Sequence, residues 1–493
     1  MTTQVNIQSV PASKQSDGLE AQSSTFQWTK QWYPLAVVEF LDPTRPHSVQ
    51  LLGKDLVLWR DGSQTWRCFE DACPHRLVPL SEGRVEAEGT LLCAYHAWRF
   101  DGQGQCTHIP QAKDAETESK YRQSDRACAI AYPTQERQGI LWVWGEPGED
   151  GLQASQQQVP RLTPELDDAL LSIQAGAWAI RDLPYGWDFF MENVSDPAHV
   201  PVSHHGLVGN RYEDPKFYDM PRLREMSAQE GLAYSVTNTP DSIERVSHDF
   251  QPPCLMRITT EFKQGGRLIL VLYAVPTRPG YCRHIGRQIL VKNEQGKVPP
   301  GLAFFSLPMP VWLSHVLGSL FLHQDAVFLH FQERIINKRQ QRWLEEVYTP
   351  NPQDKMVIAF RQWLEKYAGG GVPWANGLTL PSVGPDKRQL FDVWHSHTKN
   401  CQVCQRALRK IRWARGISYG LAIALLFWAI MIDSRAIALA AASDTNSGAG
   451  LWLPPASFFG AIAAAALLAA VGYGLQRLTQ LFYFYEFEHY NND

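Results

Sequence analysis

The sequence predicts an α+β protein in three parts: a small all-β N-terminal domain, a larger α+β domain, and a C-terminal hairpin of two transmembrane helices. Three features carry that expectation. Short β-type runs punctuated by turn signals fill residues 26–150, strands mixed with amphipathic helical patterns fill 165–392, and two uncharged apolar runs lie within 416–476. With 493 residues and 44% hydrophobic side chains, the chain is long enough for each of the first two parts to bury its own core. The formal net charge is −4 and the charged residues are evenly scattered. No basic face offers itself to a phosphate backbone, so nucleic acid is excluded as a partner.

In chain order, residues 1–25 are polar, rich in Ser and Gln and free of apolar runs, which excludes a secretory signal and predicts a disordered tail. No Arg precedes Arg45, while Asp17 and Glu20 are already present, the reverse of a transit peptide's composition. In the all-β part, strands are expected at 36–40, 51–59 and 140–144, with turns at Asp61-Gly62 and Asp101-Gly102. The Gln-, Gly- and Pro-rich stretch 151–164 reads as a linker. Beyond it, a strand at 267–275 turns at Pro279-Gly280 into a strand at 282–291, and helices are expected at about 326–347 and 354–367. The second helix follows from the spacing of Met356, Phe360, Trp363 and Tyr367 ahead of Gly369-Gly370-Gly371. The apolar run 302–322 is broken by Pro308 and Pro310 and cannot span a membrane; it reads either as core or as a surface dipping into the bilayer.

Residues 416–432 and 456–475 carry no charge, and each is close to the length that crosses a hydrocarbon core of ~30 Å. Arg406, Arg409, Lys410, Arg412 and Arg415 lie before the first run, in a juxtamembrane segment at 393–415, while the connection 433–455 has only Arg435 as a basic residue. Positive-inside logic then places the bulk of the chain on the cytoplasmic or stromal side, with a tail at 477–493 returning there. Nine unevenly spaced cysteines suit a reducing compartment better than a disulfide scaffold.

Two clusters of ligand-type residues carry chemistry. Cys73-Pro74-His75 and Cys93-Ala94-Tyr95-His96 give the pattern CxH…CxxH. Two thiolates and two imidazoles suit a [2Fe-2S] cluster with one iron on sulfur and the other on nitrogen, where neutral histidine raises the potential and makes the centre an electron relay. Tetrahedral Zn2+ accepts the same donors, but zinc fingers pair Cys with Cys and His with His, whereas each loop here offers one of each. Cys68, Cys106 and Cys128 lack such pairing and read as core.

Further on, Asn193, Asp196, His199 and His204 form NxxDxxHxxxxH. Two histidines and a carboxylate make the facial triad of non-haem Fe(II), which leaves positions open for O2 and substrate. The carboxylate is expected from Asp325, in His323-Gln324-Asp325 at the start of the helix expected at 326–347, because a helix N-terminus favours an anion. Asn193 and Asp196 are the candidate catalytic residues beside these ligands.

With both motifs in this order, the chain resembles the Rieske oxygenases over residues 28–390. The resemblance implies a Rieske domain followed by a helix-grip-like catalytic domain, with Cys73, His75, Cys93 and His96 on the cluster and His199, His204 and Asp325 on the catalytic iron. It also implies a homotrimer in which Asp196 links His96 of one subunit to His199 of the next. Ala97 stands where the family usually has Gly, a change expected to be tolerated. Cys401-Gln402-Val403-Cys404 ahead of paired spans, Trp32-Tyr33-Pro34, the 56–61 segment and Phe328-Leu329-His330-Phe331-Gln332-Glu333 are similar to the pheophorbide a oxygenase group. That group includes chlorophyllide a oxygenases and a Rieske component of chloroplast protein import. It implies a monooxygenase in a cyanobacterial or chloroplast-type membrane, fed by a ferredoxin-type donor and acting on a chlorophyll-derived tetrapyrrole such as pheophorbide a or chlorophyllide a. Cys401 and Cys404 are then either a redox pair answering to thioredoxin or two thiols near the membrane. Two other readings stay open: a Rieske oxygenase of another hydrophobic substrate, such as a sterol or aromatic acid, and a non-catalytic redox sensor or translocon component.

Overall fold

The computed structural model describes residues 25–168, 172–298, 302, 309–382, 384–443 and 454–489. The expected tail at 1–25 lies, apart from Thr25, outside the described residues, as do 303–308 of the apolar run and 490–493 at the C-terminus.

The N-terminal part is built from short antiparallel strands in three small sheets. The first sheet has the order β1 (Trp32–Val37), β11 (Ile140–Trp144), β10 (Thr134–Arg137). Every side chain of β11 is buried, as befits a middle strand. The second runs β2 (His47–Leu51), β3 (Lys54–Arg60), β4 (Trp66–Glu70), β9 (Ala131–Tyr132), and the third runs β5 (Arg84–Val85), β6 (Leu91–Leu92), β7 (Arg99–Phe100), β8 (Cys106–His108). The strand expected at 51–59 is instead a hairpin of β2 and β3. Leu52 and Gly53 take φ of 52° and 82°, the left-handed pair that closes a two-residue turn. The strand expected at 36–40 stops at Val37 and continues as a 3-10 turn over Val38–Phe40. Helix α1 (Ala115–Arg122) follows β8, and α2 (Gly148–Gln156) occupies the first part of the expected linker.

The second part is a seven-stranded antiparallel sheet of β12 (Ser172–Leu183), β13 (Arg222–Ser227), β14 (Gly231–Val236), β15 (Ile243–Gln251), β16 (Leu255–Phe262), β17 (Arg267–Arg278) and β18 (Tyr281–Val291), in the order β12-β18-β17-β16-β15-β14-β13. Helix α3 (Trp187–Ser195) packs on β16, β17 and β18 and leads into α4 (Val200–Ser203); α5 (Val311–Arg339) packs along β12, and after the short α6 (Trp343–Glu346), α7 (Lys355–Tyr367) packs on β13 and β14. Trp187, Phe250, Phe360 and Trp363 meet edge-on or tilted between these helices and the sheet, with ring centroids 5.0–5.6 Å apart in their closest pairs. Beside them Arg361 of α7 is buried and bonded to Glu192 (2.9 Å from Nε) and Asp188 (2.5 Å) of α3, so α3 is fixed at both its faces. Arg283 of β18 joins the two parts, donating to Leu35 O at 2.9 Å and gripping Asp182 at 2.7 and 2.9 Å.

Helix α5 corrects the expected helix at 326–347 at both ends. It starts directly after Pro310, taking in the apolar run from Val311, and ends where Gln340 adopts a left-handed φ of 53°. Asp325 therefore sits in the middle of a helix and not at an N-terminus, and the helix dipole is not what holds its charge.

Helix α8 (Val393–Ser396) precedes α9 (Gln402–Ser443), which is paired with α10 (Ala456–Gln480). Both α9 and α10 are long and apolar enough to cross a membrane. Ile417, Leu421, Phe427 and Trp428 of α9 and Phe459 and Leu467 of α10 point outward, as lipid-facing side chains would. Tyr419 lies flat on Gly472, where an added Cβ would come within 2.8 Å of the ring. The expected tail at 477–493 is partly the end of α10, and residues 481–489 turn back onto the second part. Val393 N–H donates to Tyr483 O at 3.0 Å, Tyr485 O accepts from His323 Nδ1 at 2.7 Å and Gln324 O from His489 Nε2 at 2.8 Å.

Candidate metal centres

The two CxH/CxxH loops lie over a small core that includes Val57, Trp59, Phe69, Leu80 and Phe100, and they share one backbone design. Cys73 N–H donates to Val78 O and Cys93 N–H to Trp98 O, both at 2.9 Å, while each cysteine carbonyl accepts from the residue four places on, Leu77 at 2.7 Å and Ala97 at 3.0 Å. Leu77 and Ala97 occupy equivalent left-handed positions, with φ of 56° and 55°. That conformation favours glycine, which gives Ala97 a physical meaning: a methyl group is carried where the backbone would prefer none.

The thiols of Cys73 and Cys93 are buried side by side; burial, with Cys93 as neighbour, pushes Cys73 up to about 12. Such thiols become thiolates only against a cation. The imidazoles of His75 and His96 meet edge-on at 4.6 Å, and Trp98 stacks on His75 at 4.6 Å. His75 Nδ1 is buried with no hydrogen-bond partner, a lone pair aimed at nothing the protein supplies. Two thiols and an orphaned imidazole nitrogen on matching loops fit a [2Fe-2S] cluster. Around them Leu77 and Tyr95 are exposed, 74% and 58%, so the loops end in an apolar rim. Of the other N-terminal cysteines, Cys68 and Cys106 are buried as expected of core residues, but Cys128 is half-exposed, because its short 3-10 turn lies at the surface.

In the second part, His199, His204 and Asp325 converge, each offering a ligand atom within 4.8 Å of the others. His199 precedes α4 and His204 follows it; one helical turn separates them, so the rings face each other with centroids 5.5 Å apart. The outer nitrogen of each ring is committed. His199 Nδ1–H donates to Asp196 O at 2.6 Å and His204 Nδ1–H to Gln324 Oε1 at 2.8 Å, leaving both Nε2 atoms as lone pairs directed inward. Asp325 Oδ1 accepts from Ser203 Oγ at 2.8 Å, and Oδ2 lies 3.2 Å from His204 Nε2. Burial pulls the Asp325 carboxyl upward, but the neighbouring His204 and His199 rings and the hydrogen bond from Ser203 outweigh it and hold the group below its usual range. Two inward imidazole nitrogens and a buried carboxylate are the donor set of Fe(II) sites that keep positions open for other ligands.

Phe321, one turn before Asp325 on α5, stacks on His204 at 3.9 Å and shields that face. Asp196 is half-buried after α3, its Oδ2 3.8 Å from His199 Nδ1 and its Oδ1 accepting Ala198 N–H at 2.7 Å. Asn193 is half-buried on the last turn of α3, where its carbonyl accepts Asp196 N–H at 3.1 Å. Gln324 and Ser203, which orient the triad, carry no motif signal. Their adjacency to Asp325 and His204 is the only hint the chain gives. Cys401 and Cys404 are both buried, and not alone: His315 of α5 and His397 lie against them.

A family model described as the Rieske [2Fe-2S] domain matches residues 31–121, and one described as pheophorbide a oxygenase matches residues 250–343. Pheophorbide a oxygenase of Oryza sativa is 36% identical over 420 residues, covering 81% of this chain and 77% of that protein. Flavonoid 8-hydroxylase 2 of Ocimum basilicum is 34% identical, covering 80% of this chain and 76% of its own. Among solved structures, dicamba monooxygenase bound to dicamba superposes with a TM-score of 0.54 at 18% identity over 70% of this chain and 98% of that one, a likeness of fold. The matched family models and the identity to pheophorbide a oxygenase over most of the chain place it in the Rieske oxygenases, within the pheophorbide a oxygenase family.

Proposed function

We propose that the protein is a membrane-anchored monooxygenase that uses O2 and electrons from a ferredoxin-type donor to oxygenate a chlorophyll-derived tetrapyrrole of the pheophorbide a or chlorophyllide a type. The observation that carries it is the convergence of His199, His204 and Asp325, each with its outer atoms bonded so that its inner atom is free. Iron bound there supplies the activation of O2, and a cluster at Cys73, His75, Cys93 and His96 supplies electrons.

The protein's own contribution is orientation and exclusion of water. Asp196 O fixes the His199 tautomer and Gln324 fixes that of His204, so neither ring can turn away. Phe321 closes one side of the site. Val202, Leu207 and Val208, close to His204 in the chain, are exposed apolar side chains, which suits a hydrophobic substrate. Asp196 is the proposed bridge that carries electrons from His96 of one subunit to His199 of the next in a homotrimer. The half-buried imidazole of His96 inside the exposed rim of Leu77 and Tyr95 supports such docking. The return of the C-terminal residues to α5, together with the arginines at the start of α9, supports a two-span topology with both domains on the cytoplasmic or stromal side.

The test is a single turnover. Purified, pre-reduced protein is incubated anaerobically with pheophorbide a, chlorophyllide a or a flavone and given one pulse of labelled O2. Incorporation of one labelled atom into a pigment is expected. Labelling of the flavone alone would move the substrate to that class, and labelling of none would overturn the oxygenase reading.

A further inference from the structure

The buried group of His315, His397, Cys401 and Cys404 lies outside both centres described above. Its four donor atoms all fall within 4.8 Å of one another, and every residue in it is buried. His315 comes from the first turns of α5, His397 from the segment after α8, and the two cysteines from the start of α9. The sequence offers Cys401-x-x-Cys404 as a redox pair, but the fold adds two histidines that no motif announces.

The protonation of these rings is fixed from outside. His315 Nε2 lies 2.9 Å from Trp178 O, and His397 Nδ1 lies 2.7 Å from Ile180 O. A carbonyl oxygen only accepts, so each of those nitrogens carries the proton. The opposite nitrogens, His315 Nδ1 and His397 Nε2, are then bare lone pairs in the neutral rings, and they face each other at 3.1 Å. Cys404 Sγ is 3.2 Å from both, and Cys401 Sγ is 3.8 Å from His315 Nδ1. Thiol protons can bond to these lone pairs, but the two bare nitrogens then still oppose each other at 3.1 Å, whereas one positive centre among the four atoms satisfies all of them at once. A tetrahedral zinc ion with Zn–N of about 2.0–2.1 Å and Zn–S of about 2.3 Å sets its ligand atoms roughly 3.3–3.8 Å apart, close to the observed spacing. The backbone carbonyls on the outer nitrogens are the usual partners of metal-bound histidines.

We propose that His315, His397, Cys401 and Cys404 hold one zinc ion in a tetrahedral Cys2His2 site that fastens the start of the first membrane helix to α5. Binding exchanges the two thiol protons for the divalent ion, so the buried site is electrically neutral, which suits surroundings such as Phe40, whose ring meets His315 edge-on at 4.7 Å. A narrow crevice lined by Phe40, His47, His397 and Cys401 leads to it. A dithiol switch, in contrast, needs a sulfur open to attack, and both sulfurs here belong to residues only 1% exposed. Asp325 lies on the same helix as His315, about 15 Å along its axis, so the clamp also bears on the seat of the catalytic carboxylate.

The full-length protein, purified in detergent without chelators, tests this through its metal content and spectrum, whatever its catalytic activity. About one zinc per chain is expected in addition to the iron, released when a mercurial reagent titrates the thiols. Protein produced with Co2+ should show thiolate-to-cobalt charge transfer and tetrahedral d–d bands. Cys404→Ser and His397→Gln should each lose the zinc while keeping the cluster absorption. Should those variants fail to fold, the cobalt spectrum of the unmodified chain decides alone. Absence of any metal beyond iron, cobalt uptake without thiolate charge transfer, or a Cys401–Cys404 disulfide in protein isolated without reductant would each overturn the proposal.

Discussion

The proposed cluster loops and the proposed iron triad use similar side chains on different plans. The loops are local: each brings one Cys and one His a few residues apart, held by a backbone design that is repeated between Cys73–Val78 and Cys93–Trp98. The triad is assembled at a distance, with His204 bonded to Gln324, 120 residues away. One site depends on turns and a small core beneath them. The other depends on α5 being straight and correctly placed against α3 and α4. The difference teaches that the relay centre is robust to changes in the catalytic part, while the catalytic centre is sensitive to the packing of a single helix.

The strongest test of that separation is Asp325→Ala. It should abolish mononuclear iron binding and reduce oxygenation to background while the reduced-cluster EPR signal keeps its intensity. Loss of the cluster signal as well would show that the two regions are not independent. Gln324→Leu keeps all three ligands but removes the acceptor that holds His204 Nδ1–H. Activity or iron affinity should fall by about 10–100-fold, measured as turnover against added Fe(II).

A smaller effect is expected at the seat of α5. Burial, reinforced by Asp188, pushes the Glu333 carboxyl up to about 8, while its Oε2 accepts Gly186 N–H at 2.9 Å ahead of α3. Because the folded value lies above the unfolded one, the stability that the protonated group contributes is full below about pH 4.5 and is lost as the pH rises toward about 8. Glu333→Gln keeps an acceptor without the charge. It should be more stable to unfolding than the unmodified protein at pH 8, by on the order of 2 kcal/mol in denaturant titration, with the difference vanishing near pH 4. The smallest change belongs to the loops: Ala97→Gly relieves a left-handed alanine and should stabilise the Rieske part by about 1 kcal/mol, read from thermal loss of the cluster's visible absorption.

Legibility in the sequence followed the same division. The proposed cluster ligands, His199 and His204 stand in short motifs whose spacing alone suggests shared ligation. Strand β11, the β17–β18 hairpin and α7 were likewise legible, because periodicity and turn residues are local signals. Asp325 is legible as a ligand but not for its helix position: it lies in mid-helix, where the hydrogen bond from Ser203 and the adjacent His204 ring hold its charge and no helix N-terminus does. Gln324, Ser203 and the His315/His397 pair were invisible, since their partners lie far away in sequence and nothing in their neighbours marks them. The hairpin at Leu52-Gly53 was missed because a leucine gives no warning of a positive φ.

The central claim is that electrons leave the cluster at His96 and are used at the triad in the same reaction. Rapid freeze-quench EPR of pre-reduced protein mixed with O2 and pheophorbide a tests it most directly, with labelled product measured in the same samples. The cluster signal should disappear as labelled pigment appears, and in Asp196→Asn the cluster should stay reduced with no product. Labelled product forming while the cluster remains reduced would contradict the account.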